Sequence, residues 1–392
     1  MNHLLNNRTS LTASLVLTGL ASTGTSVIWN GLPFIAKRDY GFTESDNLGL
    51  YLLIGIVYVT GALTSGVCTR LLRPFASLRT VVTGLLLTVA IVCTLPLFTK
   101  SGWVIWTAGG VAGFCSAWLW PIVQSYLVAG RHGSEMRRAI GWWNLVWMMS
   151  VAGAMLAMAP LMDSHASMVI VGLGGINILA IFVLPWYPKN PAEHDEDPTK
   201  EKVPDGYRSL LRGARVLLPL SYVINGVLSP LLPYVLANIS IEIFWQTPVA
   251  AIWMISRVVV TVLMWKSGKW HGKWSILWIS AISMAIGFVC ILAASEIVLL
   301  ILGLIIFGGG MGVTYYAALY YAMSVGKARV EAGGKHEALI GSGYMVGPLI
   351  GLASIQLTPI TAGSAFGAII YVVLVIIALA IVALGVFWKK AR

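Results

Sequence analysis

Long apolar stretches separated by short polar breaks run the whole length of the chain. An α-helix needs about 20 residues to cross a hydrocarbon core of about 30 Å. Twelve runs meet that length, at 11–36, 48–69, 80–98, 103–129, 139–162, 168–186, 214–239, 246–265, 275–294, 297–325, 338–358 and 365–388. The first is too long for a secretory signal and has no small-residue cleavage site, so it is expected to stay in the mature protein. Pro33, Pro121, Pro160, Pro230, Pro233 and Pro348 lie in or at the ends of these runs, where neighbouring helices can satisfy a kinked backbone. The pattern predicts an all-α membrane protein with twelve transmembrane helices.

Composition agrees with the pattern. Of the 392 residues, 58% are hydrophobic and 10% charged, against about 25% charged in a soluble domain. The net charge of +11 raises the question of nucleic acid, and the placement of the charges answers it. With the N-terminus on the cytoplasmic side, 22 of the 26 Lys and Arg fall in cytoplasmic segments and only Lys37, Arg38 and Lys100 in outer ones. That asymmetry orients a membrane protein with both termini inside; no nucleic-acid partner is expected. Cys68, Cys93, Cys115 and Cys290 all sit in apolar runs and read as small hydrophobes. No metal-ligand spacing, cofactor motif or catalytic constellation is evident, so neither an enzyme nor a cofactor is expected.

The longest polar interruption, "YPKNPAEHDEDPTKEKVPDGYRSLLRGAR" at 187–215, is rich in Pro and in charges of both signs. It divides the chain into an N-terminal six-helix bundle (1–186), a cytoplasmic linker (187–213) and a C-terminal six-helix bundle (214–392). An amphipathic turn near Tyr207–Arg215 is expected to close the linker. The halves echo each other: "SVIWNGLPFIA" parallels "SYVINGVLSPLLPYV", aligning Asn30-Gly31 with Asn225-Gly226. "AIGWWNLVWMMSVAGAML" likewise parallels "LIGSGYMVGPLIGLA", aligning Gly141 with Gly341. Such duplication is a feature of transporters.

On these features the chain resembles the major facilitator superfamily over essentially its whole length. The loop after the second span, "GALTSGVCTRLLRPFASLRT", keeps Gly61, Gly66 and the basic residues Arg70, Arg73 and Arg79 but lacks the family's aspartate. "GRHGSEMRRAIG" resembles the basic turn into the fifth span, and "GYMVGPLIG", with Gly347 and Pro348, resembles a Gly-Pro packing motif. The resemblance implies two pseudo-symmetric six-helix bundles and a solute site lined by spans 1, 4, 5, 7, 8, 10 and 11. It also assigns gating or packing to Gly61, Gly66, Arg70, Gly141, Gly347 and Pro348. Gly343, Gly347 and Gly351, four apart, and "GGGMG" at 308–312 suit close helix packing in lipid.

Spans 4, 5, 7, 10 and 11 are loaded with polar and aromatic residues. Trp120, Gln124, Trp143, Asn144, Asn30, Asn225, Tyr316, Tyr320 and Tyr344 are the candidate lining, with core packing as the alternative for the mid-span aromatics and hydrogen bonding between helices as the alternative for Asn144 and Asn225. Arg257 stands apart: it keeps its proton, and a charge at the centre of a membrane helix costs about 2.5–3.5 kcal/mol. The fifteen acids all fall outside the twelve runs or at their ends, so no internal carboxylate is expected to pair with it. A guanidinium there can take an anionic solute, be held by hydrogen bonds, or serve a gate. The six histidines also fall in loops or tails, which favours facilitated diffusion, exchange, or coupling in which the substrate itself carries the proton. The reading is a secondary or facilitative transporter of a small polar, anionic organic solute, monomeric, in a bacterial inner membrane. Alternatives are a carrier of a neutral sugar or nucleoside, a drug or metabolite exporter, and a non-transporting receptor on the same scaffold.

Overall fold

The computed structural model describes residues 8–192, 204–325, 330–361 and 365–390. Among them there is no strand, and twelve helices are long and apolar enough to cross a membrane. Helices are the open-chain solution in lipid, because each peptide group finds its partner within its own segment. The first six are α1 (Leu11–Tyr40), α2 (Glu44–Leu72), α3 (Leu78–Leu97), α4 (Trp103–Val128), α5 (Gly133–Ala157) and α6 (Met168–Trp186). The second six are α7 (Tyr207–Asn238), α8 (Ile243–Lys266), α9 (Ser275–Leu292), α10 (Ile297–Val325), α11 (Val330–Thr361) and α12 (Ala365–Lys389).

Polar residues in the breaks set several helix starts. The Ser10 hydroxyl accepts the Ala13 amide at 3.0 Å and opens α1; Ser77 accepts the Thr80 amide at 3.2 Å and opens α3. Before α2, the Thr43 amide donates to Asp46 Oδ2 at 2.9 Å and the Asp46 amide to Thr43 Oγ1 at 3.2 Å. Each such cap satisfies backbone donors that the first turn leaves without partners.

Three helices begin six or more residues before their apolar runs. α5 starts at Gly133 and so includes the basic turn. α7 starts at Tyr207, and the expected amphipathic segment is its first turns, with Leu210, Leu211 and Ala214 buried. α11 starts at Val330 and carries Glu337 into the helix. The beginning of the linker is docked: Arg79 Nη1 donates to the Tyr187 carbonyl at 3.0 Å, and the Tyr126 hydroxyl to the Lys189 carbonyl at 2.9 Å. The expected tether over 193–203 lies outside the described residues.

The chain forms two compact units. Unit 1 comprises Met1–Tyr40, Ile56–Lys200 and Lys327–Gly341; unit 2 comprises Gly41–Gly55, Glu201–Gly326 and Ser342–Arg392. α2 and α11 therefore each have residues in both units. Within unit 1, α1 packs on α5, and α3 on α4 and α6. Within unit 2, α10 packs on α7, α8 and α9, while α7 also meets α12. α7 is the most enclosed helix, buried along nearly its whole length despite Pro219, Pro230 and Pro233. At Gly343 an added methyl would stand 2.5 Å from Tyr222 Cβ and 2.6 Å from the Pro219 carbonyl oxygen. Only a glycine allows α11 so near α7.

Candidate functional site

In unit 2 three of the expected site residues come together. Arg257, on α8, is 1% exposed. Its guanidinium carbon lies 4.4 Å from the centre of the Tyr315 ring, and Nη2 donates to the Tyr222 hydroxyl at 3.3 Å. Tyr222 meets Tyr344 edge-to-face with ring centres 5.1 Å apart. Asn225 Nδ2 donates to the Tyr344 hydroxyl at 3.1 Å, and the Ser229 hydroxyl to Asn225 Oδ1 at 3.4 Å. Helical spacing explains the array: Tyr222, Asn225 and Ser229 are three and four apart and share one face of α7. Stacking a cation on a desolvated ring is worth about 2 kcal/mol, comparable with the cost of the buried charge.

A second group lies in unit 1. Trp120 of α4 and Trp143 of α5 meet edge-to-face with ring centres 6.1 Å apart, both buried. Trp143 Nε1 has no hydrogen-bond partner among the described residues, and neither does Asn30 Oδ1. Asn30 sits in a π-helical turn, Val27–Gly31, in the middle of α1. Such single wide turns inside α-helices occur frequently at functional sites. Here the Leu32 amide reaches back to the Val27 carbonyl, and the Ser26 hydroxyl donates to the Val151 carbonyl of α5 at 2.8 Å. Asn144 is tied up locally: Nδ2 donates to the Ile140 carbonyl at 2.9 Å and Oδ1 accepts from Trp147 Nε1 at 3.2 Å.

Tyr316 and Tyr320 belong to a separate aromatic cluster of unit 2. Trp270 lies 5.9 Å from Tyr316 and 5.0 Å from Tyr320, centre to centre. His271 stacks on Tyr320 at 4.3 Å, with Nδ1 3.3 Å from the Tyr320 hydroxyl. Tyr207, at the start of α7, and Tyr321 complete it. Trp270 and His271 come from the turn after α8. Partial burial holds the His271 imidazole below the ordinary histidine value.

Gln124 makes an unforeseen contact. Its Nε2 donates to Glu337 Oε1 at 3.0 Å, and the Tyr58 hydroxyl donates to Glu337 Oε2 at 2.7 Å. Glu337 is 6% exposed. Counting acids along the chain assigned it to a loop; because α11 begins at Val330, it is instead a buried carboxylate within unit 1. The available signal was the apolar run starting directly at Ala338, which places position 337 within one turn of it.

Among the residues expected to pack or gate, Gly61 faces Ala117 of α4, where a methyl would lie 2.8 Å from its Cβ. Gly141 and Pro348 are buried, and the Pro348 ring lies against Gly226. Gly347 faces α7 at Val223 and Gly226. Gly66 is half-buried and accepts from Thr69 Oγ1 at 3.2 Å, and Arg70 is exposed. Among the described residues no group of three or more His, Cys, Asp or Glu could hold a metal ion.

Among the described residues, twelve membrane-length helices in two units, with buried polar and aromatic clusters in each, make an integral membrane protein of the kind that includes solute carriers. The sequence matches the Major Facilitator Superfamily over residues 14–348, and the chain belongs to that family: it is a transporter of a small solute. Its fold is similar to the crystal structure of the nucleoside transporter NupG. The TM-score is 0.68 at 11% identity, covering 97% of this chain and 98% of that one. A NupG variant is equally similar, with a TM-score of 0.68 at 12% identity, covering 98% of this chain and all of that one. No curated protein matches by sequence.

Proposed function

We propose that the protein moves a small polar organic solute by alternating access, and that Arg257 anchors an anionic group of that solute. The carrying observation is the guanidinium itself, buried on α8 with its plane set by Tyr315 and one donor directed to Tyr222. A planar fork of N–H donors matches a carboxylate or phosphate, and a low-dielectric surrounding strengthens the attraction. Asn225 and Tyr344 supply neutral hydrogen-bonding groups beside it. The excess of Lys and Arg on one side supports both termini being cytoplasmic, and the short outer loops suit a bacterial inner membrane; a reporter fused after Arg392 tests that orientation.

Uptake into liposomes by the purified wild type and Arg257→Gln, each assayed against anionic and neutral metabolites, tests the reading. Charge-assisted hydrogen bonds are worth about 1.5–3 kcal/mol, so anion uptake should fall roughly tenfold to a hundredfold while the melting temperature holds. Unchanged anion uptake by Arg257→Gln refutes the anchor.

A second reading is a neutral nucleoside-like solute. It is favoured by two buried atoms without partners among the described residues, Asn30 Oδ1 on a turn that packs against α4 and α5, and Trp143 Nε1 in the Trp120–Trp143 pair. Together they offer an acceptor, a donor and an aromatic wall, and the carriers of similar fold are nucleoside transporters. Under this reading uridine raises the melting temperature of wild type and Arg257→Gln alike, and Asn30→Ala abolishes the shift.

A further inference from the structure

Glu337 plays no part in the solute reading above, yet among the described residues it is one of the few charged side chains that are buried. Its surroundings are specific. Tyr58 of α2 and Gln124 of α4 face its two oxygens, one donor to each, at 2.7 and 3.0 Å. Among the described residues no Lys or Arg is paired with it; His336 precedes it on α11. Both partners donate, so the arrangement suits an acceptor-only, ionised carboxylate. A protonated carboxyl still accepts, but without the negative charge both bonds weaken, and the oxygen that carries the proton becomes the poorer acceptor.

The position of Glu337 in the chain gives this contact a consequence. Lys327–Gly341 belongs to unit 1, whereas the same helix from Ser342 onward belongs to unit 2. The carboxylate thus lies four residues before the point where α11 leaves unit 1. Beyond these two hydrogen bonds, Gly341 fits against the Tyr58 ring, where a methyl would stand 2.8 Å from Cδ1. Tyr58 is the shared member of the group: its ring also meets Trp29 edge-to-face at 5.4 Å. Trp29 is the residue before Asn30 in the π-helical turn of α1.

We propose that Glu337, Tyr58 and Gln124 form a proton-sensitive clasp. The ionised carboxylate holds the first turns of α11, up to Gly341, in unit 1, and taking up a proton from solvent releases them. Burial penalises the charge while the two donors favour it, so the two states of the clasp compete. Through Tyr58 and Trp29 the same event reaches the turn that carries Asn30. The clasp works identically whichever solute is carried, so its test needs none.

Hydrogen–deuterium exchange of the full chain in nanodiscs, read on peptides spanning 336–345 and corrected for intrinsic chemistry, measures the release directly. Wild type should exchange slowly at about pH 8 and at least about tenfold faster at about pH 5, the loss expected for one charge-assisted hydrogen bond. Glu337→Gln, which carries an amide donor in place of one acceptor, should exchange fast at both pH values. Tyr58→Phe, which leaves the carboxylate in place with one donor fewer, should open at a higher pH than wild type and covers the case in which Glu337→Gln folds poorly. Infrared difference spectra add a direct readout: a protonated-carboxyl band should grow as pH falls and be missing in Glu337→Gln, which also separates Glu337 from His336. Protection that is equal at both pH values in wild type, or Glu337→Gln as protected as wild type at pH 8, overturns the clasp.

Discussion

Replacing Gly343 by alanine tests the packing that positions the Arg257 cluster. The added methyl would stand 2.5 Å from Tyr222 Cβ, 2.6 Å from the Pro219 carbonyl oxygen and 2.8 Å from the Val223 amide nitrogen. A carbon–oxygen approach of about 3.3 Å is tolerable, so α11 and α7 must separate by roughly 0.7 Å at this point. Two of the three atoms are backbone, and the third is a Cβ fixed to it, so no side-chain rotation relieves the clash. Overpacking of this kind costs about 1–3 kcal/mol. A gap of 0.5–1 Å also forfeits about a quarter to a half of the dispersion energy of the contacts that open. Against this, alanine in a helix interior gains about 1 kcal/mol over glycine. The balance is a destabilisation of about 1–2 kcal/mol. Gly153 of α5 and Gly172 of α6 have nothing within 4 Å of an added methyl; alanine there should be neutral or stabilising by up to about 1 kcal/mol. Thermal melts of the three variants in one detergent check the contrast. Because the displaced atom at closest approach belongs to Tyr222, Gly343→Ala should also lower uptake more than its stability loss explains. A Gly343→Ala protein that melts at or above wild type refutes the reasoning, since the propensity gain would then exceed the packing loss.

Two further outcomes follow from groups outside the spans. Arg131, 2% exposed, donates to the Leu127 carbonyl and, at 2.8 Å, to the Thr9 carbonyl. It ties the end of α4 to the start of α1, so Arg131→Ala should cost about 2–3 kcal/mol; a melt unchanged from wild type would count against that tie. His271, held below the ordinary histidine value of about 6.5 by burial, is favoured neutral in the folded state. Its contribution to stability is therefore complete above that value and declines as pH falls through the lowered folded one. His271→Phe keeps the stack on Tyr320 without the titration. Its melting temperature should fall less than that of wild type between about pH 7.5 and about pH 5, and equal pH slopes for the two would remove His271 from the account.

The contrast between what was legible in the chain and what was not has a physical cause. The spans were legible because lipid imposes a length and a composition, which any run of about 20 apolar residues satisfies without reference to its neighbours. Gly343 and Gly347 were legible as packing positions because four-residue spacing keeps them on one face. Arg257, Asn225 and Tyr344 stand out as polar residues in apolar runs, and the structure gathers them because Tyr222 links Arg257 to Tyr344, which in turn accepts from Asn225. Glu337 escaped because depth along a helix was inferred from where hydrophobicity begins, whereas burial depends on which helices surround the polar turn before it. Tyr320 escaped in the opposite sense: its helical face was readable, but the partner on that face is a turn, Trp270–His271, that folds back onto it.

That error bears on energy coupling. The inventory of acids pointed away from a proton-coupled cycle because every carboxylate was assigned to a loop or a span end. With Glu337 enclosed by α2, α4 and its own helix, that premise no longer holds, and a carrier with no acid in its apolar runs still has a buried group that can bind a proton. The clasp and the anchor then make separable demands on one uptake experiment. Arg257→Gln should alter which solutes are carried and leave the pH profile of the remaining transport in place. Glu337→Gln should flatten the pH profile and leave the solute preference as it was. A single variant that moved both would place the two residues in one machine, with solute and proton read together.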